Sequence, residues 1–353
     1  MNYEVDFLQV GQGNGDAICV RYGSEGFGYK IHVVDGGFTD TGDKVVKHIN
    51  TYYGSPKRIE NVVLSHADND HAPGLIKVLE NYEVGALWMN RPWLFAAELI
   101  DNFHGSYTVD GLKAEIRKRH PYLVDLENEA IKKNVPIYET FKGAQIGPFT
   151  VLAPSRERYL NLVPDFDKTP TNYATESLTN SLLGTIIKAV QRFLETWDIE
   201  TLSENPDPTS ASNESSVVQV GIFDDQAVLL TADAGPDALT EARDYADSIG
   251  FEMKLNLFQV PHHGSRRNVT PTTLDRWLGF AKTNDGTTRG VAYCSIGANK
   301  TDYPRKRVSN ACLRRGYPVY NTTNGYLRRY QGMPKRDNEV AAISVPFVSD
   351  FEE

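Results

Sequence analysis

The hexapeptide His66-Ala67-Asp68-Asn69-Asp70-His71 puts two imidazoles and two carboxylates within six residues. A lone His or Asp at the end of a strand is ordinarily a polar turn residue. Four nitrogen and oxygen donors in one turn suit a pair of divalent cations instead. Imidazole nitrogen fits Zn, Mn or Fe, and carboxylate oxygen widens the choice towards Mn. Two such ions, about 3.5–4 Å apart, can share a hydroxide and hold a phosphate between them. The cation itself lowers the pKa of its water towards neutral, so no separate strong base is needed. Further along lie Leu229-Leu230-Thr231-Ala232-Asp233 and Val260-Pro261-His262-His263-Gly264-Ser265.

The elements that must hold these residues can be read around them. The apolar run Ile59 to Leu64 predicts a strand ending just before His66, and a helix follows from Gly74 to Tyr82. In the first half, Val5–Val10, Asp16–Tyr22, Lys30–Asp35 and Val84–Trp88 read as further strands, with a helix over Asp43–Tyr53. In the second half, Phe149–Leu152, Ser216–Phe223, Gln226–Thr231, Leu255–Val260 and Gly290–Ser295 repeat the pattern, with Asp224-Asp225 as a hairpin turn and a helix from Pro236 to about Ala246. This alternation predicts an α/β (α+β) fold, a four-layer αββα sandwich of two mixed sheets with helices outside. Residues 1–353 are expected to form a single domain with helical insertions at about 94–140 and 155–212. In the first insertion Leu112–Arg119 reads as a helix. In the second, Leu178, Leu182, Ile186, Val190, Leu194 and Trp197 recur at three- and four-residue steps, as on the apolar face of a helix. That helix would pack on the sandwich, or serve as a lid or a contact for a second copy or a partner protein.

These motifs, in this order, resemble the metallo-β-lactamase superfamily. Its usual His-x-His-x-Asp-His has Asp68 in place of the second His here. The substitution resembles the hydrolase domain of the ComEC competence protein and its stand-alone relatives, and the phosphorylcholine esterases. Phe7 to Ala17 (FLQVGQGNGDA) is similar to the opening of that branch with Asn14 and Gly15 added. Val33-Val34-Asp35-Gly36-Gly37, Leu229 to Asp233 and Val260 to Ser265 match its later landmarks. The resemblance runs from residue 3 to about residue 330. It implies His66 and Asp68 on one metal, Asp70 and His71 on the other, Asp233 as the bridge and His263 as a further ligand, the cofactor being two divalent ions, Zn or Mn. It implies that His262 meets the substrate phosphate, and Asp70 is expected to orient water or protonate the leaving group. Where many members carry a ligand His, this chain reads Asn213-Glu214-Ser215-Ser216, as that branch does. Where a His of the branch is expected, Tyr303 stands. Ser265, Arg266, Lys300, Tyr303 and Arg305 are the expected substrate-binding residues.

The net charge of −9 argues against a nonspecific duplex coat protein. The charge is unevenly spread: residues 261–340 hold about 15 Lys and Arg against about 5 Asp and Glu. Arg266, Arg267, Lys300, Arg305, Lys306, Arg307, Arg314 and Arg315 are therefore read as a phosphate-binding rim as readily as a solvated face. Cys19, Cys294 and Cys312 form no Cys-x-x-Cys, so neither a disulfide framework nor a thiolate zinc site is expected. His32 reads as structural and His48 as exposed on its helix, while His104 and His120 have no partner spacing. No apolar run has membrane-spanning length and no signal sequence is read, which predicts a cytoplasmic protein that does not engage membranes. The expected activity is phosphodiester hydrolysis, foremost as a nuclease of low sequence specificity acting on nucleic acid. A small phosphodiester, a cyclic nucleotide or a phosphorylcholine ester, is the alternative, with Trp88, Trp93, Tyr303 and Tyr330 as pocket aromatics. A metal-binding partner subunit with little catalysis is a third.

Overall fold

The computed structural model describes residues 1–103, 107–166, 191–280, 286–337 and 339–353. Two seven-stranded sheets form from them. The first runs, edge to edge, Leu327–Gln331, Asn2–Phe7, Ala17–Ser24, Gly28–Gly36, Arg58–Val63, Glu83–Trp88 and Ile137–Tyr138. Its first three pairings are antiparallel and its last three parallel. The second runs Val319–Asn321, Val291–Cys294, Leu255–Gln259, Gln226–Leu230, Val218–Phe223, Phe149–Ala153 and Gln145–Ile146. There the first three pairings are parallel and the last three antiparallel.

Side-chain alternation explains how the sheets stack. Tyr3, Val5 and Phe7 point one way from their strand and join Val34, Phe149, Phe223, Leu257 and Tyr293 between the sheets. Tyr3 stacks on Phe223 with centroids 4.4 Å apart, and Phe7 meets Tyr293 edge-on at 5.5 Å. The parallel strands are covered on both faces, which is why Ile59–Leu64 reads as an apolar run rather than an alternation. Outside the first sheet lie the helices Thr39–Tyr52 and Leu75–Asn81, burying Val45, Ile49, Val78 and Leu79 against Val33 and Val62. Outside the second lie Pro236–Ser248, Pro271–Leu278 and Lys306–Arg314, burying Leu239, Leu274, Trp277 and Val308 against Leu229, Phe258 and Ala292. This is the four-layer αββα sandwich. The two-residue hairpin at Asp224-Asp225 is present, with Asp224 at φ 55°.

In the first insertion, the helix Val109–Arg119 is followed by Pro121–Lys132, and Leu112, Ile116, Leu123 and Leu126 join the core under the first sheet. In the second, Leu178, Leu182, Ile186 and Val190 lie outside the described residues, as does His104. Leu194 is not helical. It belongs to the strand Arg192–Leu194, paired with Asp350–Glu352, and Trp197 stacks on Phe347 at 4.6 Å. Pairing with so remote a segment leaves no trace in local periodicity.

Three further expectations are corrected. His48 is buried rather than exposed: its Nε2 lies 3.0 Å from Asp6 Oδ2, and Tyr52, Tyr53 and Tyr326 surround its ring. Much of the basic third is engaged within the protein. Arg314 and Arg315 are buried, the first paired with Glu195 and the second with Glu200 and Asp275. Arg307 pairs with Glu353, Arg305 with Asp302 and Arg267 with Asp207. Nor do the four aromatics share a pocket. Trp88 and Tyr330 lie on strands near opposite edges of the first sheet, and Trp93 is buried. Cys19, Cys294 and Cys312 are free and buried, and His32 is buried in its strand, where desolvation lowers its pKa to about 3. Among the described residues no helix is long and apolar enough to cross a membrane.

Candidate metal centre

The chemistry-bearing residues follow the carboxyl ends of the central strands, where open α/β sheets commonly bind ligands. Asp35 ends Gly28–Gly36, and His66 follows Arg58–Val63. Asp233 follows Gln226–Leu230, and His262 and His263 follow Leu255–Gln259. Two glycines let the backbone close there. A Cβ on Gly74 would stand 1.9 Å from the Gly36 carbonyl oxygen. That approach allows Gly36 N–H to donate to His71 O (2.8 Å) and Gly74 N–H to donate to Gly37 O (3.1 Å), clamping the histidine loop against the next strand. His262 and His263 both adopt left-handed backbone, at φ 46° and 58°, and Asp35 and Ala232 do so at 56° and 46°. Such strain persists only where surroundings over-determine it, and it concentrates at functional sites.

The expected ligands converge. His66, His71 and Asp233 each place a donor atom within 4.8 Å of the others, as do Asp70, His71 and His263. His66 Nε2 lies 3.5 Å from Asp68 Oδ2, and His262 and His263 each bring Nε2 to 3.6 Å from an Asp233 oxygen. Exposure divides the set. The side chains of His66, His71, His263 and Asp233 are 0–4% exposed, whereas Asp68, Asp70 and His262 are 31–33% exposed. The first four form a buried floor, and the other three face the opening.

A surrounding layer sets which ring nitrogen carries the proton. Asp35 accepts from Ser65 N–H at 2.8 Å, from the Ser65 hydroxyl at 2.6 Å and from His71 Nδ1 at 2.8 Å. Because the Ser65 hydroxyl donates to Asp35, its oxygen is left to accept from His66 Nδ1, 3.0 Å away. His263 Nδ1 donates to Ser295 O at 2.8 Å. All three rings therefore turn Nε2 inward, the tautomer a metal requires. Those three Nε2 atoms and Asp233 Oδ1 are buried and, by hydrogen-bond geometry, have no partner among the described residues. Orphaned buried polar atoms are costly, and three imidazole lone pairs facing a carboxylate are what a divalent cation would satisfy. The residues present thus fit Zn or Mn.

The charges of the cluster are mutually dependent. Burial would raise the Asp233 carboxyl, but His262, His263 and His71 hold it well below the usual range. Burial would lower His71, but Asp233, Asp35 and Asp70 push it well above the ordinary imidazole value. His66 is raised against burial by Asp68 and Asp233. His262 is steadied by Asn268, whose amide nitrogen donates to Asp233 O at 2.8 Å and whose Oδ1 lies 2.9 Å from His262 Nδ1.

The expected substrate residues are less unified. The Ser265 hydroxyl accepts from Arg267 N–H at 3.3 Å. Lys300 and Tyr303 line a separate groove with Asn321, Thr323 and Tyr326, containing none of the cluster side chains. Arg305 covers the Tyr303 ring at 4.7 Å. Arg266 has no salt bridge among the described residues, and burial and the charges of Arg307 and Arg305 lower its pKa. Asp16 was absent from the ligands read in the sequence, yet it falls within 4.8 Å of Asp233 and His263 donors. Burial first, and the Asp233 charge, raise its pKa against the pull of His263 and His71. Asp16 is the acid of the Phe7 to Ala17 segment, which the sequence marks as a landmark without giving that residue a role. Ser212, Gln259 and Asn268 were likewise unread. Ser212 donates to Asp68 Oδ1 at 2.8 Å, in the segment where a ligand His is missing.

No family model matches the chain, and no curated protein matches it. Among solved structures it is similar to a diphosphatase from the PhnP family, at 10% identity and TM-score 0.40 over 94% of this chain and 98% of that one. It is similar to AidC, a dizinc quorum-quenching lactonase, at 13% identity and TM-score 0.33 over 69% of this chain and 71% of that one. It is also similar to AbOPH, a hydrolase in the beta lactamase superfamily, at 12% identity and TM-score 0.29 over 62% of this chain. The chain spans 56% of that hydrolase's length. At these values the likenesses assign no residue and no activity here.

Proposed function

We propose that this chain is a divalent-metal-dependent hydrolase of phosphodiester bonds, acting on nucleic acid with little sequence preference. The observation that carries the metal dependence is the convergence of His66, His71 and His263 Nε2 with Asp233 Oδ1, all buried and all without hydrogen-bond partners among the described residues. Bound divalent cations would supply Lewis acidity and a lowered water pKa. The chain's own groups then take separable roles. His66, His71, His263 and Asp233 hold the metals. His262 donates from Nε2 to a phosphoryl oxygen, with Nδ1 kept in place by Asn213 and Asn268. Asp70, at the opening, orients water or returns a proton to the leaving alkoxide. Arg266, with no salt bridge among the described residues and with Arg307 and Arg305 nearby, is the rim group assigned to an anion.

A second reading, hydrolysis of a small phosphodiester, is favoured by one observation. Arg305, Arg307, Arg314 and Arg315 are already ion-paired within the protein, leaving fewer cations to follow a polymer backbone. Hydrolysis of bis(p-nitrophenyl) phosphate and of labelled single- and double-stranded DNA, with Mn or Zn, separates the readings. Metal-dependent cleavage of DNA that is abolished in Asp233→Ala supports the first. Cleavage of the small diester alone supports the second. Inactivity on both, with metal bound, removes both in favour of a non-catalytic metal protein or a different ester.

A further inference from the structure

Asp16 begins the strand region Ala17–Ser24 beneath the histidine loop, and its N–H donates to the Asp70 carbonyl at 3.3 Å. Its side chain is 1% exposed. One carboxylate oxygen, Oδ2, accepts from Gln259 Nε2 at 2.9 Å. The orientation of that amide is fixed, because Gln259 Oε1 accepts from Thr231 N–H at 2.8 Å and Ala232 N–H at 3.0 Å. Gln259 therefore ties the end of the Asp233 strand to Asp16. The other oxygen, Oδ1, is buried and has no hydrogen-bond partner of ordinary geometry among the described residues. The same is true of Asp233 Oδ1 and His263 Nε2, and the three residues place donor atoms within 4.8 Å of one another. Two buried carboxylates brought this close cannot both stay charged without positive charge between them. The Ser295 hydroxyl, also buried, lies near enough to Asp16 to favour its charged form, but makes no hydrogen bond of ordinary geometry.

We propose that Asp16 is a metal ligand, binding through Oδ1 the ion held by His263 and Asp233 from the closed side of the centre. The proposal rests on the metal-binding part of the function proposed above. It has a consequence for metal choice: another carboxylate makes that site richer in oxygen, which favours Mn over Zn relative to a histidine-dominated site.

The test is metal binding rather than turnover. Metal content by mass spectrometry and titration calorimetry with Mn and with Zn would be measured on the wild type, Asp16→Asn and Ser295→Ala. Two ions per wild-type chain are expected. Asp16→Asn should weaken Mn at one site tenfold or more and Zn by less, while Ser295→Ala leaves both unchanged. Two Mn ions at wild-type affinity in Asp16→Asn, or the same loss in Ser295→Ala, would overturn the assignment and leave the metal centre standing. A wild type that takes up no metal would overturn both. Should Asp16→Asn not fold, anomalous scattering from Mn-loaded wild-type crystals decides: an Asp16 oxygen at about 2.0–2.2 Å from an ion, the range for carboxylate on zinc, supports it, and an ion without that contact refutes it.

Discussion

Asp35 touches no substrate in this scheme, yet Asp35→Asn should cost much of the metal affinity. The carboxylate accepts three hydrogen bonds, with Oδ1 facing Ser65 N–H and Oδ2 shared by the Ser65 hydroxyl and His71 Nδ1. An amide has one accepting oxygen. If it takes the Oδ2 place, the NH2 group meets the Ser65 N–H, donor against donor. If it takes the Oδ1 place, the NH2 group faces His71 Nδ1 and makes that nitrogen the acceptor. The His71 proton then moves to Nε2, which turns inward and can no longer bind a cation. The backbone is unaffected, because Asn tolerates the φ of 56° at this position as Asp does. Partners that orient a ligand imidazole are typically worth 10- to 100-fold in metal affinity, or about 1.4–2.8 kcal/mol. The buried mismatch should cost a further ~1–3 kcal/mol of folding stability. Calorimetric titration of Mn and Zn gives the first quantity, and urea denaturation with chelator present gives the second. Wild-type affinity for both ions in a folded Asp35→Asn would refute the reasoning, since the tautomer of His71 would then not be governed by Asp35.

Two other outcomes are expected. His262→Ala should retain its metals and lose about 10²–10³ in kcat, the usual effect of removing one transition-state donor; loss of an ion by metal analysis would make His262 a ligand instead. Asp6 is buried, and although burial opposes it, His48 and Arg336 lower its pKa from 3.8 to about 2. A depressed carboxyl contributes stability above its unfolded value that is lost as pH falls through 3.8 towards 2, here about 2 kcal/mol. The wild type should therefore lose that much more than Asp6→Asn between pH 5 and 2 in urea denaturation, and parallel pH curves would dismiss the link.

How far the sequence disclosed this molecule depends on whether a feature is local. The strand before His66, the helices at Thr39–Tyr52 and Leu75–Asn81, and the Asp224-Asp225 hairpin are written in runs of neighbouring residues, and their places hold to within a few positions. The cluster of His66, Asp70, His71, Asp233 and His263 was legible because its residues come in unusual groups at strand ends. Asp16 was not, since its meaning comes from Gln259 and Asp233, more than 200 residues away. The strand Leu327–Gln331 looks too polar for a sheet, but Arg328 faces Glu4 rather than water. The charge excess of residues 261–340 is answered in part by acids from elsewhere in the chain, such as Glu4, Glu195, Glu200 and Glu353, which no local pattern reveals.

The pairing of Glu4 and Asp6 bears on how the molecule is made. Their guanidinium partners, Arg328 and Arg336, are 324 and 332 residues further along for Glu4. The strand Asn2–Phe7 has one neighbour at Ala17–Ser24 and the other at Leu327–Gln331. During synthesis, at about 5–20 residues per second, this strand presents an unpaired edge for tens of seconds. Throughout that interval Glu4 has Arg21 and Asp6 has His48 as partners from nearby in the sequence, and charge carried on an open edge strand discourages pairing with another chain. Arg328 and Arg336 thus complete a pairing that Arg21 and His48 begin, and the strand that brings Arg328 closes the open edge of Asn2–Phe7 late in synthesis.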